Sequence, residues 1–152
     1  MMYKKEVESL IKTKNYQQVY ELSKKYFENN KLEFYELSDV IELFVKNDLS
    51  RDVTTKLVHL LNELAQKDDV GEDYHFPVRI LYEHKYYEEG IIVCNLILNL
   101  AECSHNKEFI HLIKGECLFK LKKYYDAKNE LEVACSDEDL KDEAWEYLKK
   151  IK

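Results

Sequence analysis

Lys122-Lys123-Tyr124-Tyr125-Asp126-Ala127 is echoed 37 residues upstream by Lys85-Tyr86-Tyr87-Glu88-Glu89-Gly90. A fainter copy, Lys14-Asn15-Tyr16-Gln17-Gln18-Val19, lies near the N-terminus. Each segment opens an apolar stretch of helical period. Aligned on Tyr124, Tyr87 and Tyr16, the spacings are 37 and 71 residues, the second close to two periods of about 36. Self-similarity at about 20–50 residues is the mark of stacked-repeat architectures, which work by offering a surface.

Composition agrees with helices and little else. Of 152 residues, 45% are apolar and 35% charged, which does not fit a disordered chain, whose mark is low hydrophobicity. The length suffices for one domain, residues 1–152, with its own core. Three glycines and one proline leave little material for hairpins, phosphate loops or flexible linkers, so short polar connections between helices are expected. No segment sustains period-two alternation bounded by turn signals, and no sheet is predicted.

The net charge of −7 runs against a nucleic-acid partner, which calls for a basic face. Lys4, Lys5, Lys12 and Lys14 make a modest basic start, interrupted by Glu6 and Glu8. The apolar run from Ile91 to Leu98, broken by Asn95, is far too short to span a bilayer, so no membrane insertion is expected. Met1-Met2-Tyr3-Lys4-Lys5 leads directly into a charged amphipathic stretch without the features of a secretory leader. Cys94, Cys103, Cys117 and Cys135 lie in or beside apolar helical segments and read as buried free thiols, which suits a cytoplasmic protein.

Periodicity and polar punctuation divide the chain into about nine helices. The first runs from about Met2 to Thr13, the second from Tyr16 to Glu28, and the third from Glu33 to Lys46. The fourth has the cleanest stripe, Val53, Leu57, Leu60, Leu61 and Leu64, with Ser50 as N-cap. The fifth is expected over about Tyr74 to His84, with Asp73 capping it and Pro77 in its first turn. The sixth covers about Tyr87 to Glu102, the seventh Lys107 to Leu121, and the eighth Tyr124 to Cys135. Ser136 and Asp139 suggest a capping box for a ninth, with Leu140, Ala144, Leu148 and Ile151 as its apolar stripe.

The segment from His111 to Ala134 resembles a tetratricopeptide repeat, a helix–turn–helix with small residues where its helices cross. Gly115 stands in its first helix, Ala127 twelve residues on in its second, and Ala134 seven beyond that. Tyr124 at the turn and Leu131 between the alanines occupy the aromatic and large apolar positions. His111 and Lys114 depart from the pattern, and the closing proline is absent. In the upstream copy Gly90 replaces Ala127 and Val78 replaces Gly115. Around Tyr16 only the second helix is recognisable, and residues 32–67 share the length but not the signature. The resemblance implies an all-α right-handed superhelix of antiparallel helix pairs; an irregular helical bundle is the alternative.

In that family the first helix of each pair lines a concave groove. Carried over by position, the groove holds His75, Arg79, Tyr82 and Glu83 from the fifth helix, and Phe109, Leu112, Glu116, Phe119 and Lys120 from the seventh. Chaperone-binding members clamp a peptide carboxylate with Lys, Asn and Arg. Leu112 and Glu116 stand at two of the clamp positions, and Glu116 would repel such a carboxylate. An aromatic and charged groove suits a helix or an extended peptide with apolar anchors; packing against the next repeat is the other reading of Phe109, Phe119 and Tyr82.

On the sixth helix Glu88, Asn95, Asn99 and Glu102 share one narrow sector, and apolar residues fill nearly all the rest. Such a helix needs cover on most sides. The face carrying Ile92, Leu96 and Leu100 is therefore expected to be an interface, with a second copy or another protein, unless the chain's own end helices cover it.

Catalytic motifs are missing. Glycines only at 71, 90 and 115 make no phosphate loop or dinucleotide fingerprint. No zinc His-Glu-x-x-His pair and no nucleophile elbow occur. Cys103, His105 and His111 match no usual metal spacing. The expectation is a non-catalytic interaction module without cofactor or metal: an adaptor, assembly factor or chaperone-like holder. A peptide-sensing regulatory domain and a secretion-type chaperone are the alternatives.

Overall fold

Among the described residues, five helix ends close in the same way. Lys14, Asn30, Asp48, Lys85 and Lys122 all adopt the left-handed conformation, with φ of 59°, 57°, 46°, 67° and 65°. In each turn the N–H of the following residue reaches back five positions, as Asn15 to Leu10, Leu49 to Phe44, Tyr86 to Leu81 and Lys123 to Leu118. This is the Schellman closure, which satisfies the orphan carbonyls of a helix end and sends the chain into an antiparallel return. Four of them, Lys14, Asp48, Lys85 and Lys122, are spaced by 34, 37 and 37 residues, and Asn30 lies outside that spacing. The repeat seen as Lys-x-Tyr in the sequence is thus a repeat of turns, and it includes the 32–67 pair, where the side-chain signature is absent.

The computed structural model describes residues 2–68, 77–100 and 106–151. Among them are nine helices and no strand: α1 (Met2–Lys12), α2 (Tyr16–Glu28), α3 (Phe34–Lys46), α4 (Arg51–Asp68), α5 (Val78–Glu83), α6 (Tyr87–Leu98), α7 (Lys107–Lys120), α8 (Tyr124–Ala134) and α9 (Lys141–Leu148). Within the pairs, α1 packs on α2, α3 on α4, α5 on α6 and α7 on α8. Between pairs, α3, α5, α7 and α9 each touch the next of that set, and α2, α4 and α6 do likewise.

Local chemistry sets the ends. Ser50 Oγ accepts the Val53 N–H at 3.2 Å and starts α4, as its sequence position suggests. Asn106 accepts N–H groups from Glu108 and Phe109 and starts α7. The expected start of α5 at Tyr74, its cap Asp73, and the stretch 101–102 of the sixth helix lie outside the described residues. Pro77 does not sit inside the first turn of α5. It immediately precedes the helix, and its carbonyl accepts the Leu81 N–H, a place where a missing N–H costs nothing. The Ser136–Asp139 capping box is not formed. Ser136 Oγ bonds back to the Val133 carbonyl and Asp137 Oδ1 takes the Asp139 N–H, so α9 begins only at Lys141. Short polar side chains bonding to their own neighbourhood compete with a cap in this way.

The core is in two parts that share α7. Ile110, Ile113 and Cys117 join the large cluster built from α1 to α6, whereas Leu112 and Leu118 join Ala127, Leu131, Ala134 and Ala144. Gly115 lies on the second side, where a Cβ would stand 2.8 Å from Leu131 Cγ. Gly90, Ala127 and Ala134 are also buried, and a Cβ on Gly90 would stand 3.3 Å from Cys117 Sγ on α7. Helix backbones approach closely only where side chains are this short.

The apolar α6 is covered in part by its own neighbours. α4, α5 and α7 pack around it; Val93, Cys94 and Ile97 are fully covered, while Ile92 and Leu100 keep partial exposure.

Candidate functional site

The described groove residues expected from the sequence divide between two environments and the core. Arg79 and Glu83 line an open cleft of about 330 Å³ between α3 and α5, together with Glu42, Lys46, Pro77, Ile80 and His84. Arg79 also holds its guanidinium 5.4 Å from the centre of the Phe109 ring, a cation–π contact from α5 to α7. His75 lies outside the described residues.

Tyr82, Glu116 and Phe119 form a second group, against α9. The Tyr82 and Tyr147 hydroxyls are 3.2 Å apart. Phe119 stacks edge-on against both Tyr147 and Tyr124 at 5.1 and 5.3 Å. Beneath them Glu116 is 1% exposed, and its Oε1 atom has no hydrogen-bond partner among the described residues. Burial, and then the adjoining Glu143 carboxyl, push the Glu116 acid up to about 8, against the pull of the Tyr82 hydroxyl and the Lys120 ammonium. A carboxyl so placed holds its proton at neutral pH. Lys120 is exposed on the next turn of α7.

Leu112 belongs to neither. It is wholly buried in the second core cluster and offers no surface to a ligand. Helical position puts it on the groove side of α7, but in this chain α8 and α9 make that sector interior.

Ile92, Leu96 and Leu100, expected from the sequence as an interface and not as part of the groove, line a cleft of about 330 Å³ between α4 and α6 that also includes His59, Asn62, Gln66, Asn95 and Asn99. A larger depression of about 520 Å³ between α1 and α2 carries Glu6, Gln18, Glu21 and Lys25 among its lining. No motif marks that site in the sequence, and only its burial pattern could have pointed to it.

Two polar clusters passed unnoticed in the sequence. Glu89, 3% exposed at its side chain, accepts Arg51 Nη2 at 2.8 Å and the Thr55 hydroxyl at 2.6 Å. Arg51 in turn lies 4.4 Å over the Tyr86 ring, and the Tyr86 hydroxyl donates to Asp48 at 2.6 Å. This set ties the α3–α4 turn to the α5–α6 turn. Glu130 accepts Lys114 at 2.9 Å and bonds to Nδ1 of His111. Burial alone would raise its acid, but the His111 and Lys114 bonds outweigh that and hold Glu130 below the usual carboxylate range. His111 is thus engaged with Glu130. Cys103 and His105, considered beside it in the sequence, lie outside the described residues.

The thiols of Cys94 and Cys117 are buried and raised, Cys117 to about 12 by burial and then by Glu116. Such thiols are poor nucleophiles. Among the described residues no helix is long and apolar enough to cross a membrane. The class these findings define is an all-helical protein with clefts between successive helices. Compared with known proteins, the chain matches no family model, no curated protein and no solved structure.

Proposed function

We propose that this chain is a non-catalytic protein–protein interaction module of tetratricopeptide-like design, with stacked helix pairs and a peptide-binding groove on the side of α3, α5 and α7. The observation that carries the reading is the α3–α5 cleft. Its lining alternates charge and apolar surface, with Lys46 and Arg79 set among Glu42, Glu83 and Ile80. Such a lining fits a partner segment that carries both charge signs around an apolar anchor. The net charge of −7 supports a protein partner over a nucleic acid.

The test is capture from a lysate of the native host, with cross-linking through Lys46. A defined protein should be held by the wild type and by Lys128→Glu, a change on exposed α8 surface, and lost by Arg79→Glu/Glu83→Lys. Equal capture by the double variant would remove the reading. A hydrolytic or transferase activity that persists in that variant would replace it with an enzyme.

A further inference from the structure

Helix α9 is held more weakly than the helices it joins. It is eight residues long, has no side-chain cap, and buries one residue, Ala144. By contrast, α3 and α7 each bury seven. Tyr147 and Leu148 keep partial exposure, and Trp145 is 59% exposed. A helix of about two turns has no stability of its own in water. With so little apolar surface covered, α9 belongs to the part of the fold that opens first.

Beneath it lies an acid. Glu116 on α7 is 1% exposed, and its Oε1 atom has no hydrogen-bond partner among the described residues. Groups from the surrounding helices face it or stand next to those that do. α5 brings the Tyr82 hydroxyl, α9 brings the Glu143 carboxyl and Tyr147, and α7 itself brings Lys120 and Cys117. Tyr87 of α6 stands beside Tyr82 with ring centres 5.9 Å apart, and Tyr124 of α8 stands beside Phe119 at 5.3 Å. Lys120 is the cation of this set, and it is exposed to water.

The contacts of α9 with this spot suit a neutral acid. Tyr147 meets Tyr82 hydroxyl to hydroxyl at 3.2 Å and sets its ring edge-on against Phe119 at 5.1 Å. Protonated, Glu116 is uncharged and has a proton to donate. Ionised, it would be a carboxylate shut from water beside the Glu143 carboxyl, with Tyr82 and the exposed Lys120 as its support. Desolvation and like charge both act against that form. The helix that yields most easily is the one carrying Glu143. Leu81 of α5 and Cys117 of α7 belong to the large core cluster, whereas α9 reaches only the small one, through Ala144.

We propose that α9 is a proton-operated latch, which docks over α7 while Glu116 carries its proton and undocks as a unit when that proton is lost, with the packing of α1 to α8 kept. Undocking uncovers Glu116 and Phe119 on the groove side of α7. The latch rests on the packing of α9 and stands whether or not that groove holds a peptide. Docked, Glu116 keeps its proton up to about pH 8; undocked and wetted, it releases the proton near the ordinary 4.5. Opening therefore releases a proton between those limits. Its equilibrium constant rises about tenfold per pH unit in that window and levels off above it.

Hydrogen exchange of the full chain tests the latch, with each amide's rate expressed as protection relative to an unstructured chain at the same pH. Between about pH 5.5 and 7.5, the Trp145, Tyr147 and Leu148 amides should be at least about a hundredfold less protected than those of Ile41 and Phe44 in α3. Their protection should fall about tenfold per pH unit. Glu116→Gln, which has no proton to lose, should hold it flat. Glu143→Gln leaves Glu116 able to titrate and should end the fall at a lower pH; it serves if the first variant does not fold. Trp145 is the only tryptophan of the chain, so 5-fluorotryptophan gives a second readout. Its fluorine line should narrow between about pH 5.5 and pH 9 as α9 is freed, while circular dichroism loses no helix beyond α9. The proposal is overturned if α9 and α3 exchange together, if wild-type protection of α9 is flat across that range, or if neither substitution alters the profile. A fluorine line that does not narrow, or helix lost well beyond α9, would also overturn it.

Discussion

A Cβ on Gly115 would meet Leu131 at 2.8 Å from Cγ and 3.3 Å from its backbone nitrogen. Gly90 is roomier: a Cβ there would lie 3.3 Å from Cys117 Sγ and 3.9 Å from Leu81 Cβ. Alanine gains about 1 kcal/mol over glycine within a helix, whereas overpacking a tight crossing costs about 1–3 kcal/mol. Gly115→Ala should therefore lower stability by about 1–2 kcal/mol, while Gly90→Ala stays within about 1 kcal/mol of wild type. Urea unfolding of both variants checks this; equal effects would mean that the α7–α8 crossing is not the close one.

Glu116 links stability to pH. Its acid is raised to about 8 from an ordinary 4.5, so the native state keeps a proton that the unfolded chain releases. Stability from this group is complete below about pH 4.5, declines as pH rises, and is lost once pH passes about 8. The groups that face it are Tyr82 from α5, Glu143 and Tyr147 from α9, and Lys120 from α7 itself. Glu116→Gln imitates the protonated acid. Relative to wild type it should gain at least about 1 kcal/mol between pH 5 and pH 8.5. A constant difference across that range would show that Glu116 is ionised in the native protein.

The Arg51–Glu89 pair is asymmetric, with side chains 51% and 3% exposed. Loss of Arg51 strands a buried carboxylate with Thr55 as its remaining donor, whereas loss of the Glu89 charge returns Arg51 to water. Arg51→Ala should cost about 1–3 kcal/mol and Glu89→Gln less than about 1 kcal/mol. Thermal melts of the two variants and their combination test the order; a larger loss from Glu89→Gln would reverse it.

Lys85 and Lys122 hold left-handed backbone at exposed turn positions. That conformation costs a side-chain-bearing residue roughly 1–2 kcal/mol, partly offset because glycine loses more entropy on folding. Lys85→Gly and Lys122→Gly should each raise stability by about 0.5 kcal/mol, seen as a higher urea midpoint at unchanged slope. A lower midpoint would place the strain elsewhere.

The helices were legible because their evidence is local. The stripe Val53, Leu57, Leu60, Leu61 and Leu64 is buried throughout on α4, and Ser50 caps it. Periodicity and capping are decided within a few residues of chain, and so were the small residues at Gly90, Gly115, Ala127 and Ala134. The Lys-x-Tyr echoes marked three of the five left-handed turns, at Lys14, Lys85 and Lys122; Asn30 and Asp48 escaped because backbone conformation, not side-chain identity, closes the helix there. The site was less accessible. Leu112, Glu116 and Lys120 share one side of α7 by spacing, but whether that side meets solvent or α9 depends on a helix more than twenty residues away. Arg51 and Glu89, 38 residues apart, become partners only when α4 and α6 pack together, and the cleft between those helices exists only once they meet. Alone, the sequence determined which segments are helical and where their backbones can approach. Folding decided which faces remain open and which carboxylates lose their water, because burial is a property of neighbours brought from distant parts of the chain.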